Sequence, residues 1–192
     1  MLLLILGTVT AMAQEQFNPE KIKAEVHNTI VAEAKFTKEE EAAFFPLFDA
    51  MKDGDAPGFE REINRLLTPS ISYMDSYESF YHGFMTGILS GSSGYMIKSN
   101  RESGNGRSDM LLKTGDVFAK AFVIELKTVK QEGNKPVTME MMDEAADEAI
   151  KQIDDNAYAD ALLEDGYGNI GRYGISFFKK RCRVHYKDGY EQ

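Results

Sequence analysis

Ser99-Asn100-Arg101-Glu102-Ser103-Gly104-Asn105-Gly106-Arg107-Ser108-Asp109 and, a little further on, Ala121-Phe122-Val123-Ile124-Glu125-Leu126-Lys127 decide how this chain is read. Asn105-Gly106 is a strong hairpin signal because both residues tolerate positive φ. Strands are therefore expected near 94–99 and 107–112, with a turn between them. A second turn, Thr114-Gly115-Asp116, leads into a third strand over 120–129. Its first half is apolar on both faces, which predicts a central place in a sheet.

Side chains alternate across a strand, so Glu125 and Lys127 share one face while Leu126 points to the other. A carboxylate and an ammonium on a buried strand are costly unless each has a partner. Asp109, on the preceding strand, puts a second carboxylate beside Glu125. Two hard oxygen donors, a backbone carbonyl and several waters describe a Mg²⁺ or Mn²⁺ site. Such an ion lowers the pKa of a water and stabilises charge on a phosphate, and Lys127 would orient that water or neutralise the developing charge. The pattern is that of a metal-dependent phosphodiesterase. Glu-x-Lys alone carries no information, since Glu33-Ala34-Lys35 repeats it on a solvated helix. The competing reading is an ordinary salt-bridged strand end.

Outward from this stretch the chain is a sequence of helices and strands. Asp75 with Glu78 forms a capping box that opens a helix running to Ser90. Phe80, Phe84 and Ile88 together with Tyr81, Met85 and Leu89 give it a broad buried face. A short helix over 59–67 precedes it and is expected to break at Thr68-Pro69. Downstream, a long helix over 138–156 and a shorter one over 157–163 are followed by strands over 170–178 and 182–186. The order of helix, three strands, helix and two strands predicts a mixed α/β domain with helices packed on a central sheet.

The first fifty residues differ in character. Met1-Leu2-Leu3-Leu4-Ile5-Leu6-Gly7 is apolar, and Ala11-Met12-Ala13 reads as a cleavage site, although no basic residue precedes it. Residues 1–13 thus form a signal-like segment too short to span a bilayer. It leaves open a cytoplasmic protein or one exported through this segment. Asn18-Pro19 starts a helix with an apolar stripe at Ile22, Val26, Ile30 and Ala34. Thr37 with Glu40 caps a second, so 14–52 reads as a helical hairpin. This part is similar to the start of small exported helical proteins of Bacteroidetes. Asp53-Gly54-Asp55-Ala56-Pro57-Gly58 reads as a linker, with the second domain at 59–192.

The net charge of -9 excludes a protein that coats nucleic acid non-specifically. It does not exclude a nucleic-acid enzyme with bound cations and a local basic patch. The single cysteine, Cys182, excludes an internal disulfide and a Cys-rich zinc site.

Residues 66–186 resemble the PD-(D/E)XK nuclease superfamily, in particular the branch found C-terminal to AAA-type ATPase-like domains. The resemblance rests on Glu78-Ser79-Phe80-Tyr81-His82-Gly83-Phe84, on Ser99 to Gly104 with Gly106, Arg107 and Asp109, and on Ile124-Glu125-Leu126-Lys127. Ala149-Ile150-Lys151-Gln152-Ile153 with Tyr158, then Gly174-Ile175-Ser176-Phe177 and Lys180-Arg181-Cys182, complete it. It implies a restriction-endonuclease-like core and a DNA substrate, with RNA as the variant, cleaved with Mg²⁺ or Mn²⁺. Asp109 and Glu125 become metal ligands and Lys127 the catalytic lysine. Glu78 becomes the acidic residue of the first core helix and a further ligand, and Gln152 the polar residue of the second core helix facing the site. The helical hairpin stands where the branch carries its ATPase-like domain, so an AAA-type ATPase is expected as a partner in trans. The alternative is a catalytically silent nuclease-fold module that docks on an ATPase or another protein.

Each of these residues has a plainer reading. Glu78 caps its own helix, Gln152 is an exposed residue of an acidic helix, and His82 is a structural histidine. Arg101 and Arg107 either contact phosphates or pair with Glu102 and its neighbours. Lys180 and Arg181, with Lys179, Arg183 and Lys187, either contact a DNA backbone or blunt an edge strand. His185 has no ligand spacing and reads as a surface residue.

Overall fold

The computed structural model describes residues 38–70, 78–91, 94–103 and 106–190, with the backbone alone at 38–44, 70, 99–103 and 106–107. The elements in order are α1 (Lys38–Asp53), α2 (Ala56–Ser70), α3 (Glu78–Ser90), β1 (Met96–Ser103), β2 (Gly106–Lys113) and β3 (Ala121–Thr128). They are followed by α4 (Met139–Asp155), α5 (Asp160–Glu164), β4 (Ile170–Phe178) and β5 (Arg181–Lys187). The signal-like segment and the first helix of the expected hairpin lie outside the described residues.

Five strands form one sheet in the order β1-β2-β3-β4-β5. All neighbours are antiparallel except β3 and β4. A parallel pair needs a long crossover, and α4 with α5 supplies it. Central β3 is buried over its first six residues, as its apolar run predicts.

Alternation along the strands sends side chains into two cores. On one face Met110, Leu112, Phe122, Ile124, Tyr173 and Phe177 pack against α1, α2 and α3. On the other, Leu111, Ala121, Val123 and Ile170 meet Ile153 of α4, Leu162 of α5 and Tyr158 between them. The amphipathic α4 is opened by Thr138, whose hydroxyl accepts the Met141 N–H at 3.3 Å. At Gly174 of β4 an added Cβ would sit 2.1 Å from the Ala146 carbonyl oxygen of α4. Only glycine lets the helix lie this close to the sheet.

The structure departs from the sequence reading at several boundaries. β1 continues to Ser103, with Ser103 opposite Gly106, so most of the expected turn is strand. The α2 helix runs through Pro69, which lies in its last turn and forfeits a single bond. Within residues 53–58, read as a linker, Asp53 ends α1, Gly54 and Asp55 make a tight turn, and 56–58 open α2. Gly54 takes φ +72, and the Asp55 side chain accepts the Gly58 N–H at 3.0 Å as a cap for α2. Leu47, Phe48 and Met51 before that turn and Phe59, Ile63 and Leu67 after it share one core. One compact unit accordingly starts at Lys38. Of the methionines at the start of α4, Met142 is buried while Met139 and Met141 are exposed. Among the described residues no helix is long and apolar enough to cross a membrane.

Candidate active site

The β2–β3 ladder pairs Leu112 with Phe122, Leu111 with Val123 and Met110 with Ile124, and there it stops. Both strands go on: β2 stays paired with β1 back to Gly106, and β3 with β4 out to Thr128. Asp109 and Glu125 stand one step beyond the last pair, at the fork. Their side chains replace the missing ladder bonds. Glu125 Oε2 accepts the Asp109 N–H at 3.3 Å, and Asp109 Oδ2 accepts the Leu126 N–H at 2.8 Å. The sequence reading placed Asp109 on the strand before Glu125, and the fork brings the two side chains together.

Lys127 and Gln152 complete the group. Lys127 donates from Nζ to Gln152 Oε1, and Gln152 donates from Nε2 to Glu125 Oε1 at 2.6 Å. An ammonium only donates, so the amide must turn its carbonyl oxygen to Lys127 and its nitrogen to Glu125. Lys127 Nζ itself lies 3.9 Å from Glu125 Oε1. The second Nε2 proton of Gln152 goes to the Tyr158 hydroxyl at 3.2 Å, and Asn156 Nδ2 donates to the same oxygen at 3.2 Å.

Electrostatics set this group apart. Glu125 is 4% exposed. Burial, with the Asp109 charge beside it, pushes its carboxyl up to about 8, against the pull of the Asp109 N–H and Lys127. Burial also raises Asp109, while the Leu126 N–H, His82 and Lys127 oppose the rise. Among the described residues no three His, Cys, Asp or Glu side chains converge as a metal cage, so Asp109 and Glu125 stand as a pair.

The remaining expected residues surround this pair at different distances. Glu78 is exposed in the first turn of α3 and makes no third member of the cluster, but its charge raises both Asp109 and Glu125. His82, one turn on, hydrogen-bonds through Nε2 with the Asp109 carbonyl at 3.2 Å and so braces β2 against α3. Lys180 lies in the β4–β5 turn and Arg181 opens β5, at the sheet end where β3 carries Lys127. Lys180 donates to the Thr68 carbonyl at 3.0 Å, and Arg181 is exposed. The backbones of Arg101 and Arg107 lie in β1 and β2, while their side chains are outside the described residues. A cavity of about 500 Å³ lies elsewhere, between Ala56, Glu60, Asp147, Ile150, Arg183 and Tyr186, and takes in none of Glu78, Asp109, Glu125, Lys127 and Gln152.

Sequence reasoning gave no role to Tyr158, Asn156 or the Leu126 N–H. Tyr158 lies six positions after Gln152, a spacing that puts two residues on different sides of a regular helix. Only its place in the family-like segment pointed to it.

No curated protein matches the chain. A family model described as PD-(D/E)XK nuclease superfamily matches residues 76–187, from just before α3 to the end of β5 and over more than half of the chain. The match spans Glu78, Asp109, Glu125, Lys127 and Gln152, and the mixed five-stranded sheet flanked by helices agrees with a restriction-endonuclease-like fold. This chain belongs to the PD-(D/E)XK nuclease superfamily.

Proposed function

We propose that this protein is a Mg²⁺-dependent phosphodiesterase that hydrolyses DNA, with Asp109 and Glu125 as metal ligands and Lys127 as the catalytic lysine. The observation that carries the reading is the pair of opposed carboxylates in the strand fork, with one lysine on the same face. The donor set fits a divalent ion. Burial raises the proton affinity of both carboxyls and the Asp109 charge raises that of Glu125 further, and a doubly charged cation offsets both effects. Mg²⁺ commonly takes one or two carboxylates and keeps several waters, so a third protein ligand is not needed. When bound, Mg²⁺ or Mn²⁺ supplies Lewis-acid stabilisation of the phosphate and a more acidic water.

The side chains of this chain do the rest. Lys127 places a fixed positive charge beside the fork, where negative charge grows on the phosphate as it is attacked. Gln152 keeps that ammonium aimed and holds Glu125 Oε1. Glu78 acts through its field from the rim. Lys180 and Arg181, at the same end of the sheet, contact backbone phosphates and set the strand's course. Arg101 and Arg107 extend that contact along the hairpin.

The test is cleavage of plasmid and single-stranded DNA, with RNA in parallel, in Mg²⁺ or Mn²⁺. Glu125→Ala is expected to lower the rate by roughly 10²–10³-fold. A variant as active as the wild type rejects the assignment. A protein that binds neither Mn²⁺ nor DNA is instead a docking module for an AAA-type ATPase or another partner.

A further inference from the structure

We propose that Tyr158, assisted by Asn156, is a positioning residue that locks the Gln152 amide between Lys127 and Glu125. Its catalytic meaning rests on the nuclease reading above, whereas the lock itself does not. Gln152 touches both charged residues, accepting from Lys127 and donating to Glu125 at 2.6 Å. A flip of its amide would set N–H against ammonium and carbonyl oxygen against carboxylate. The Tyr158 hydroxyl takes the second Nε2 proton, and Asn156 Nδ2 occupies another acceptor site on the same oxygen. That hydroxyl therefore presents an acceptor to Gln152, which selects the amide orientation that serves both charges.

The backbone is bent to achieve this. Ala157 adopts φ +53, in the left-handed region that disfavours a side chain. The Tyr158 N–H closes on the Ile153 carbonyl at 3.1 Å and the Ala157 N–H on the Asp154 carbonyl at 3.2 Å, which ends α4 in a Schellman turn. The turn folds Tyr158 back beneath its own helix, where the ring is 4% exposed in the core that contains Leu111, Val123 and Ile153. A strained residue is kept where it aims a polar atom at the site.

Without the lock, the spacer between Lys127 and Glu125 is lost. At 3.9 Å these two already stand at the edge of contact. They then close into an ion pair that takes Glu125 away from a cation. Tyr158→Phe keeps the ring and removes only the hydroxyl.

The experiment uses the full chain, with Mn²⁺ titration by calorimetry and NMR of the Gln152 side-chain amide in the metal-free protein. In the wild type the two amide protons are expected to be distinct and slow to exchange. Tyr158→Phe should abolish that protection and weaken Mn²⁺ binding about tenfold, with the thermal midpoint little changed. In a Gln152→Leu background the same substitution should have no further effect on Mn²⁺. Equal losses of affinity with and without Gln152, or an amide signal that ignores Tyr158→Phe, overturn the proposal. A protected amide in a wild-type protein that binds no Mn²⁺ upholds the lock and sinks the nuclease reading instead.

Discussion

Two clusters of charge sit on the α4 side of the sheet, and they are built on opposite principles. Along edge strand β5, Arg183 donates to Asp143 at 2.6 Å and to Glu60 at 2.8 Å, and His185 lies between Asp147 at 2.6 Å and Asp143 at 3.1 Å. Lys187 reaches Asp154 at 3.3 Å. Each of these basic side chains faces carboxylates, and the Arg183 hydrogen bond holds Asp143 below its ordinary value. In the strand fork two carboxylates share a single lysine, and their other partners are neutral amides. Burial and like charge push both of them up. The first cluster is complete as it stands and joins α2, α4 and β5. The second holds two carboxyls of raised proton affinity beside one lysine, a perturbation that marks candidate functional sites.

That contrast has measurable consequences, and the largest concerns pH. The folded protein holds the Glu125 proton more tightly than the unfolded chain does, since burial lifts the carboxyl to about 8. Its contribution to stability is full below the ordinary carboxylate range near 4.5 and is lost as pH rises through about 8. Chelated protein should lose roughly 2–4 kcal/mol across that window. The loss, read from denaturant midpoints, should flatten in Glu125→Ala, and saturating Mg²⁺ should reverse it. An unchanged slope in Glu125→Ala would place the titration elsewhere.

Next in size is Arg183→Ala, which leaves Glu60 and Asp143 without their shared guanidinium. Both carboxylates are partly screened by solvent, so the expected cost is about 1–2 kcal/mol. Cleavage should stay within a factor of about two, since no charge near the fork is altered. A large loss of activity in a folded protein would show that the two clusters are not separate. The smallest effect is Ala157→Gly, which relieves the left-handed alanine and should add about 0.5–1 kcal/mol of stability. A destabilised variant would contradict the φ assigned to that turn.

The fold was legible wherever apolar periodicity was strong. The run from Ala121 to Leu126 announced a central strand, and Tyr81, Met85 and Leu89 announced the inner face of α3. That Asp109 and Glu125 stand on successive strands was legible too, while the register that opposes them was not. β1 was read too short because Ser99 to Ser103 is polar and owes its extension to pairing with β2. The partners of the basic residues were beyond reach. Glu60 and Asp143 meet Arg183 only through the packing of two helices, and the supposed surface residue His185 is held the same way. Tyr158 depends on a single positive φ at an alanine, a choice that no propensity predicts.

The missing side chain at Gly174 reaches further than the packing it permits. A methyl group there would meet the Ala146 carbonyl and wedge α4 off the sheet. Gln152 rides on that helix, so its amide would retreat from Lys127 and Glu125 although no polar atom had been replaced. The gap between one helix and one strand thus works as a gauge, and its setting is carried by a residue with nothing to react.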